Sequence, residues 1–166
     1  MKKPNYPIIS EEVLFNKIHT VRNQRIMLDR DLAVLYEVKS IRLREQVKRN
    51  KERFPSNFMF QLTQDEVYDL MAQNAIPSGR HLGGALPYAF TEHGIMMLAN
   101  VLKSERASQM SIRIIEIFIR MREFVVAHKS VLQQIEKLEE QVDQNNGDIK
   151  KIFSILRYLL APDAKQ

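Results

Sequence analysis

Residues 28–54 read LDRDLAVLYEVKSIRLREQVKRNKERF, and this stretch divides into two short helices with a tight connection. Asp29 is suited to cap the first helix, since its short side-chain oxygen can accept a backbone N–H of the opening turn. Leu32, Ala33, Leu35 and Tyr36 give that helix one apolar face. Val38-Lys39-Ser40 makes the turn, Ser40 is placed to cap the second helix, and Leu43 and Val47 recur there at i, i+4. With those two facing a core, a helical wheel turns Ile41, Glu45, Lys48 and Glu52 outward. Arg42 and Arg49 flank them on one side, Arg44 and Lys51 on the other. Basic edges around a narrow mixed centre suit a major groove, where edges meet phosphates and the centre reaches bases. The outline is that of a helix-turn-helix. Solvated helices also carry Lys and Arg outside, so the window alone leaves both readings open.

Charge placement favours a localised polyanion partner. The chain carries a formal net charge of +5. Between Lys17 and Phe60, eleven basic residues stand against five acidic ones, a balance of +6 that accounts for the whole excess. From Lys129 onward six basic residues are cancelled by six acidic ones. The 166 residues suit one domain, or a small domain with an appendage, and 45% hydrophobic content is enough for a core. No cysteine is present, which removes disulfides and thiolate metal sites and fits a reducing cytoplasm. MKKPNYPIISEE lacks the apolar run of a signal peptide. No apolar run approaches bilayer-spanning length, because Arg113, Glu116 and Arg120 interrupt even IRIIEIFIRM. The expectation is a cytoplasmic protein with no membrane contact.

Taken in order, residues 1–17 form a lead-in, with Ser10 capping a short helix. Ile18–Val21 and Arg25–Leu28 are β-prone runs around Arg22-Asn23-Gln24, which predicts a hairpin feeding the two-helix unit. Pro55 stops the second helix near Phe54. Phe58, Phe60 and Leu62 alternate as one face of a half-buried strand; core packing is the usual task of such a stripe, base stacking on an exposed sheet the rarer one. Thr63-Gln64-Asp65-Glu66 matches a capping box and opens a helix to about Gln73. NAIPSGRHLGGALP is a long loop. Tyr88-Ala89-Phe90 resembles a short strand, Thr91 caps a helix through Leu102, and Ser104 caps a much longer one. Its interior, MSIRIIEIFIRMREFVV, is apolar on more than half its circumference and belongs in the middle of the domain.

A heptad continues beyond it. Ile135, Val142, Ile149 and Leu156 fall seven apart, as do Leu138, Asn145, Ile152 and Leu159. The pattern predicts a coiled-coil helix over 128–160, with a tail over 161–166. A mid-helix Gly147 costs about 1 kcal/mol, yet the register resumes unchanged at Ile149. One continuous helix is therefore expected, with a helical hairpin as the alternative. Self-association is preferred over packing back on the domain, giving a homodimer whose seam includes these eight residues, with Asn145 setting register.

Chemistry is sparse. His19, His81, His93 and His128 stand alone, without H-x-x-x-H spacing, and no Gly-rich phosphate loop occurs. Glu92-His93 could form an acid–base pair, but such residues more often sit at a helix start for capping or solvation. Arg80 and His81 are candidate phosphate contacts, unless their loop is simply solvated.

Three motifs in order, MLDRDLAVLYEV, QVKRNKERFPSNFMFQLTQDE and LPYAFTEHGIMMLANVLKSERA, resemble the phage-associated KilA-N DNA-binding domain in its ORF-six-N-terminal form, a relative of Bro-N. The similarity covers Ile18 to Val126. It implies a compact α+β domain that binds double-stranded DNA, without catalysis or cofactor, in regulators or antirepressor-like factors. Glu37 departs from the pattern, since similar sequences often have glycine at that turn.

The combined expectation is an α+β fold: a small mixed domain over 18–127 with a hairpin and a helix-turn-helix-like unit, then the coiled coil. DNA contacts fall on Arg42, Arg44, Lys48, Arg49 and Lys51, with Lys39 and Arg53 as outer phosphate contacts. The rival is a protein-interaction module whose basic face and coiled coil bind an acidic partner such as a repressor.

Overall fold

The computed structural model describes residues 8–76, 84–142 and 147–160. The fold is α+β, a four-stranded antiparallel sheet with helices on both faces. The first elements are α1 (Glu11–Asn16), β1 (Ile18–Val21), β2 (Gln24–Leu28), α2 (Asp29–Leu35) and α3 (Ser40–Arg49). A 3₁₀ turn over Lys51–Arg53 leads to β3 (Met59–Gln61), α4 (Gln64–Ala72), β4 (Tyr88–Phe90) and α5 (Glu92–Leu102). Then follow α6 (Glu105–Ala127), α7 (Lys129–Val142) and α8 (Gly147–Leu160).

The strand order is β1-β2-β4-β3. Arg22 and Asn23 connect β1 to β2 with φ of 53° and 58°. Two left-handed residues in succession are what a two-residue hairpin loop of matching twist requires. Met27 pairs with Phe90, and Phe90 in turn with Met59. Side-chain alternation splits the interior in two. Met27 and Phe90 face a large core with Leu14, Leu32, Leu43, Ile95, Leu98 and Ile114, built by α1, α2, α3, α5 and α6. Ile26, Leu28 and Ala89 face a smaller one, closed by Leu62, Val67 and Leu70 around α4.

Local signals place most helix starts. Ser10, Thr91 and Ser104 each accept a backbone N–H three residues on. Thr63 and Glu66 complete the reciprocal capping box. Two expected caps are displaced. Asp29 and Ser40 are the first helical residues rather than caps, and the capping positions, Leu28 and Lys39, make no side-chain bond. Ser40 is one residue late, and Asp29 is drawn inward by a tertiary partner described below.

The turn between α2 and α3 closes without glycine. Val38 N–H donates to the Ala33 carbonyl and Glu37 N–H to Val34, while Glu37 holds φ +57°. This pairing satisfies the last carbonyls of α2 in a Schellman arrangement. Arg106 reinforces it from α6, donating through Nε to the Leu35 carbonyl at 3.1 Å and approaching Glu37 at 3.6 Å.

The C-terminal segment is not one continuous helix. Arg157 on α8 is ion-paired with Glu139 on α7. In a single helix, a rise of about 1.5 Å per residue would hold these residues roughly 27 Å apart, so α7 and α8 pack side by side. The helical hairpin is the arrangement found. Asn145 lies outside the described residues, as do the tail and the side chains of Val142 and Leu159.

Candidate nucleic-acid interface

α3 is anchored by Leu43, fully buried, and Val47, 5% exposed. That burial sets its rotation, so Ile41, Arg42, Glu45, Lys48 and Arg49 are exposed, as expected from the wheel. Lys48 and Arg49 occupy the last turn, where cations complement the helix dipole. Lys39 precedes the helix, Lys51 and Arg53 extend its far end, and all three are exposed. Arg53 also reaches Asn100 Oδ1 at 3.3 Å.

Arg44 does not join this face. Its Nε donates to Asp29 Oδ2 at 2.6 Å, and its guanidinium lies 5.7 Å from the centre of the Tyr88 ring. The Asp29 side chain is 1% exposed and accepts from the Arg30 backbone N–H and from the Tyr88 backbone as well. Burial pushes the Asp29 carboxyl above its ordinary pKa, while the bond from Arg44 holds it back. A buried carboxylate needs such a partner. The pair fastens the start of α2 and the middle of α3 to β4, and it turns Arg44 toward Asp29 rather than into the exposed row of Arg42, Lys48 and Arg49. No fixed spacing in the sequence announces it, because Asp29, Arg44 and Tyr88 come from three separate motifs.

Other cations are similarly occupied. Lys17 pairs with Asp31 at 2.9 Å, and Arg22 holds Glu66 at 2.6 and 3.1 Å. Arg113 donates to the Ile9 carbonyl, Arg120 to Glu11, and Arg122 to Glu92. Among the described residues, by contrast, no ion pair or side-chain hydrogen bond engages Lys39, Arg42, Lys48, Arg49 or Lys51. Lys103, Lys129 and Lys137 are likewise unpaired among the described residues, but they are scattered in sequence, whereas five unpaired cations follow one another along α3 and its two ends.

The remaining candidates fall elsewhere. Arg80 and His81 lie outside the described residues. Phe58 stacks on His93 at 5.6 Å between ring centres, and Phe60 lies 4.3 Å beneath the Arg22 guanidinium. One face of each ring is thus covered by a protein group. His19 is buried and held below its ordinary pKa by that burial. His128 stacks on Phe124 at 4.1 Å.

The motifs that carry the family resemblance meet at the sheet. Thr91 N–H donates to the Phe58 carbonyl, and Thr91 Oγ lies 2.8 Å from the Asn57 carbonyl oxygen. Phe54 packs edge-on to Phe90 at 6.0 Å. Gly94 opens α5 directly against the Phe58 carbonyl, leaving no room for a Cβ. Residues 16–101 match the model of the ORF6N domain. The chain belongs to the ORF6N domain family. The ORF6N match runs from the end of α1 to near the end of α5, so it stops short of Val126. It contains the whole sheet and the α2–α3 unit, with α6, α7 and α8 beyond it. Nothing among the curated proteins or the solved structures matches the chain.

Proposed function

We propose that this ORF6N protein binds duplex DNA through α3, as a KilA-N-related regulator or antirepressor-like factor of phage type working in the cytoplasm without catalysis. The observation that carries the reading is the contrast in charge pairing. Arg22, Arg44, Arg120 and Arg122 are held by carboxylates, whereas Arg42, Lys48 and Arg49 of α3, with Lys39 and Lys51 at its ends, stand exposed and unpaired among the described residues. Phosphates are the natural counterions for such a row. Arg42, Lys48 and Arg49 take the central contacts, Lys39, Lys51 and Arg53 the outer ones, and Arg44 serves the fold.

A homodimer through the α7–α8 hairpin completes the proposal. Leu138, Ile149, Ile152 and Leu156 of the expected seam are exposed, 38–58% each, while Ile135 is half-buried. The hairpin leaves this apolar row uncovered within one chain. Pairing it with a second copy would place two α3 helices on one duplex and favour a two-fold-related site.

The test is affinity for a randomised duplex pool across a salt series, for the wild type and for Arg42→Ala/Lys48→Ala/Arg49→Ala. The wild type is expected to bind with a steep salt slope, and the triple variant to lose about two to three units of that slope. Equal binding by both proteins would remove α3 as the contact surface. Absence of binding by the wild type would turn attention to an acidic protein partner.

A further inference from the structure

Opposite its buried face, α3 presents Ile41, Glu45 and Lys48 in one row. Two members are ill-suited to a purely phosphate-binding surface. Ile41 is 68% exposed, a large apolar side chain in the first turn of a helix otherwise lined by charge. Glu45 is an exposed carboxylate beside Arg42, Lys48 and Arg49, and it makes no ion pair among the described residues. A carboxylate at a phosphate wall would repel it. At the floor of the major groove both groups have partners: the thymine C5-methyl is an apolar contact, and cytosine N4 donates to a carboxylate.

We propose that Ile41 and Glu45 are specificity-determining residues, Ile41 packing on a thymine methyl and Glu45 accepting from a cytosine amino group. The inference rests on the DNA-binding reading of α3 and adds what that helix distinguishes. Position supports it, because the opening turns of a recognition helix are the part that reaches base edges. Ile41 is also stiff at χ1, so it loses little freedom on docking. Four residues of helix rise about 6 Å, and duplex pairs stack at about 3.4 Å. The thymine and the cytosine therefore lie within about two base steps of each other. The cations on the Arg42–Arg49 side supply the electrostatic complement that selects DNA as the occupant of this face.

The experiment starts from sequences enriched by the wild-type full chain from a randomised duplex pool. Each enriched thymine is replaced in turn by deoxyuridine, which removes only the methyl group. The wild type is expected to lose about three- to tenfold in affinity at one such position. Ile41→Ala should bind the thymine and deoxyuridine duplexes equally, and Glu45→Gln should tolerate other bases at the enriched cytosine. Both side chains are exposed, so thermal melting checks that each variant keeps the fold. Equal wild-type affinity for both duplexes at every position overturns the assignment of Ile41. An unchanged base preference in Glu45→Gln overturns that of Glu45. Salt-sensitive binding without any enriched sequence overturns the base-reading role while leaving the phosphate contacts standing. A wild type that binds no duplex at all removes both.

Discussion

Gly94 shows how narrowly single residues hold this fold. An added Cβ would overlap the Phe58 carbonyl, which is backbone and cannot swing aside. Gly94→Ala is expected to cost about 1–3 kcal/mol, measured by denaturant unfolding. Arg44 and Arg42 look equivalent on a wheel but differ in consequence. Arg44→Ala strands the buried Asp29 carboxylate and should cost about 2–3 kcal/mol, less than a fully buried pair because Arg44 retains 28% exposure. Arg42→Ala should change stability by less than about 0.5 kcal/mol and act on DNA affinity instead. His19 gives the fold a pH dependence. Burial holds its folded pKa below the ordinary value of 6.5, so on acidification through that value the unfolded chain gains the proton first. Stability is therefore present above 6.5 and lost progressively as pH falls toward the folded pKa. Replacing His19 with Gln should flatten that limb, read as the difference between the two proteins' unfolding free energies from pH 7 to pH 5.

At the scale of elements, starts were legible and rotations only partly so. Ser10, Thr63, Thr91 and Ser104 cap the helices that they precede in sequence, because capping is settled within a few residues of chain. The wheel of α3 was legible from Leu43 and Val47. What it could not supply was the inward turn of Arg44, whose partner Asp29 lies on α2. Glu37 was legible as a departure from the expected glycine, and the structure shows its form: a left-handed residue at φ +57° in the α2–α3 turn. A left-handed conformation costs an L-residue about 1–2 kcal/mol. Glu37→Gly should accordingly raise stability by about 1 kcal/mol, reduced by the loss of the long contact to Arg106. Equilibrium unfolding decides the sign, and a loss of stability would mean that the Arg106 contact outweighs backbone strain.

For the molecule as a whole, the C-terminal helices α7 and α8 separate pattern from arrangement. A seven-residue repeat reports that two helical faces are apolar, but the repeat is the same whether a helix meets another chain or its own neighbour. Here α7 and α8 meet each other, with Glu139 and Arg157 paired, and part of the seam remains exposed. If that remnant joins two copies, Ile152→Asp/Leu156→Asp should convert a dimer to a monomer in sedimentation equilibrium, with the melting of the ORF6N domain retained. A monomeric wild type would end the dimer proposal. The sequence by itself determined the α+β class, the hairpin, most helix starts and the family motifs. Each of these depends on residues a few positions apart, or on a short pattern repeated in order. The tertiary structure alone decided which cations are spent on carboxylates, which remain open along α3, and that the last two helices fold against each other. Those outcomes depend on groups such as Asp29 with Arg44, or Glu139 with Arg157, whose meeting is set by packing and leaves no mark in local spacing.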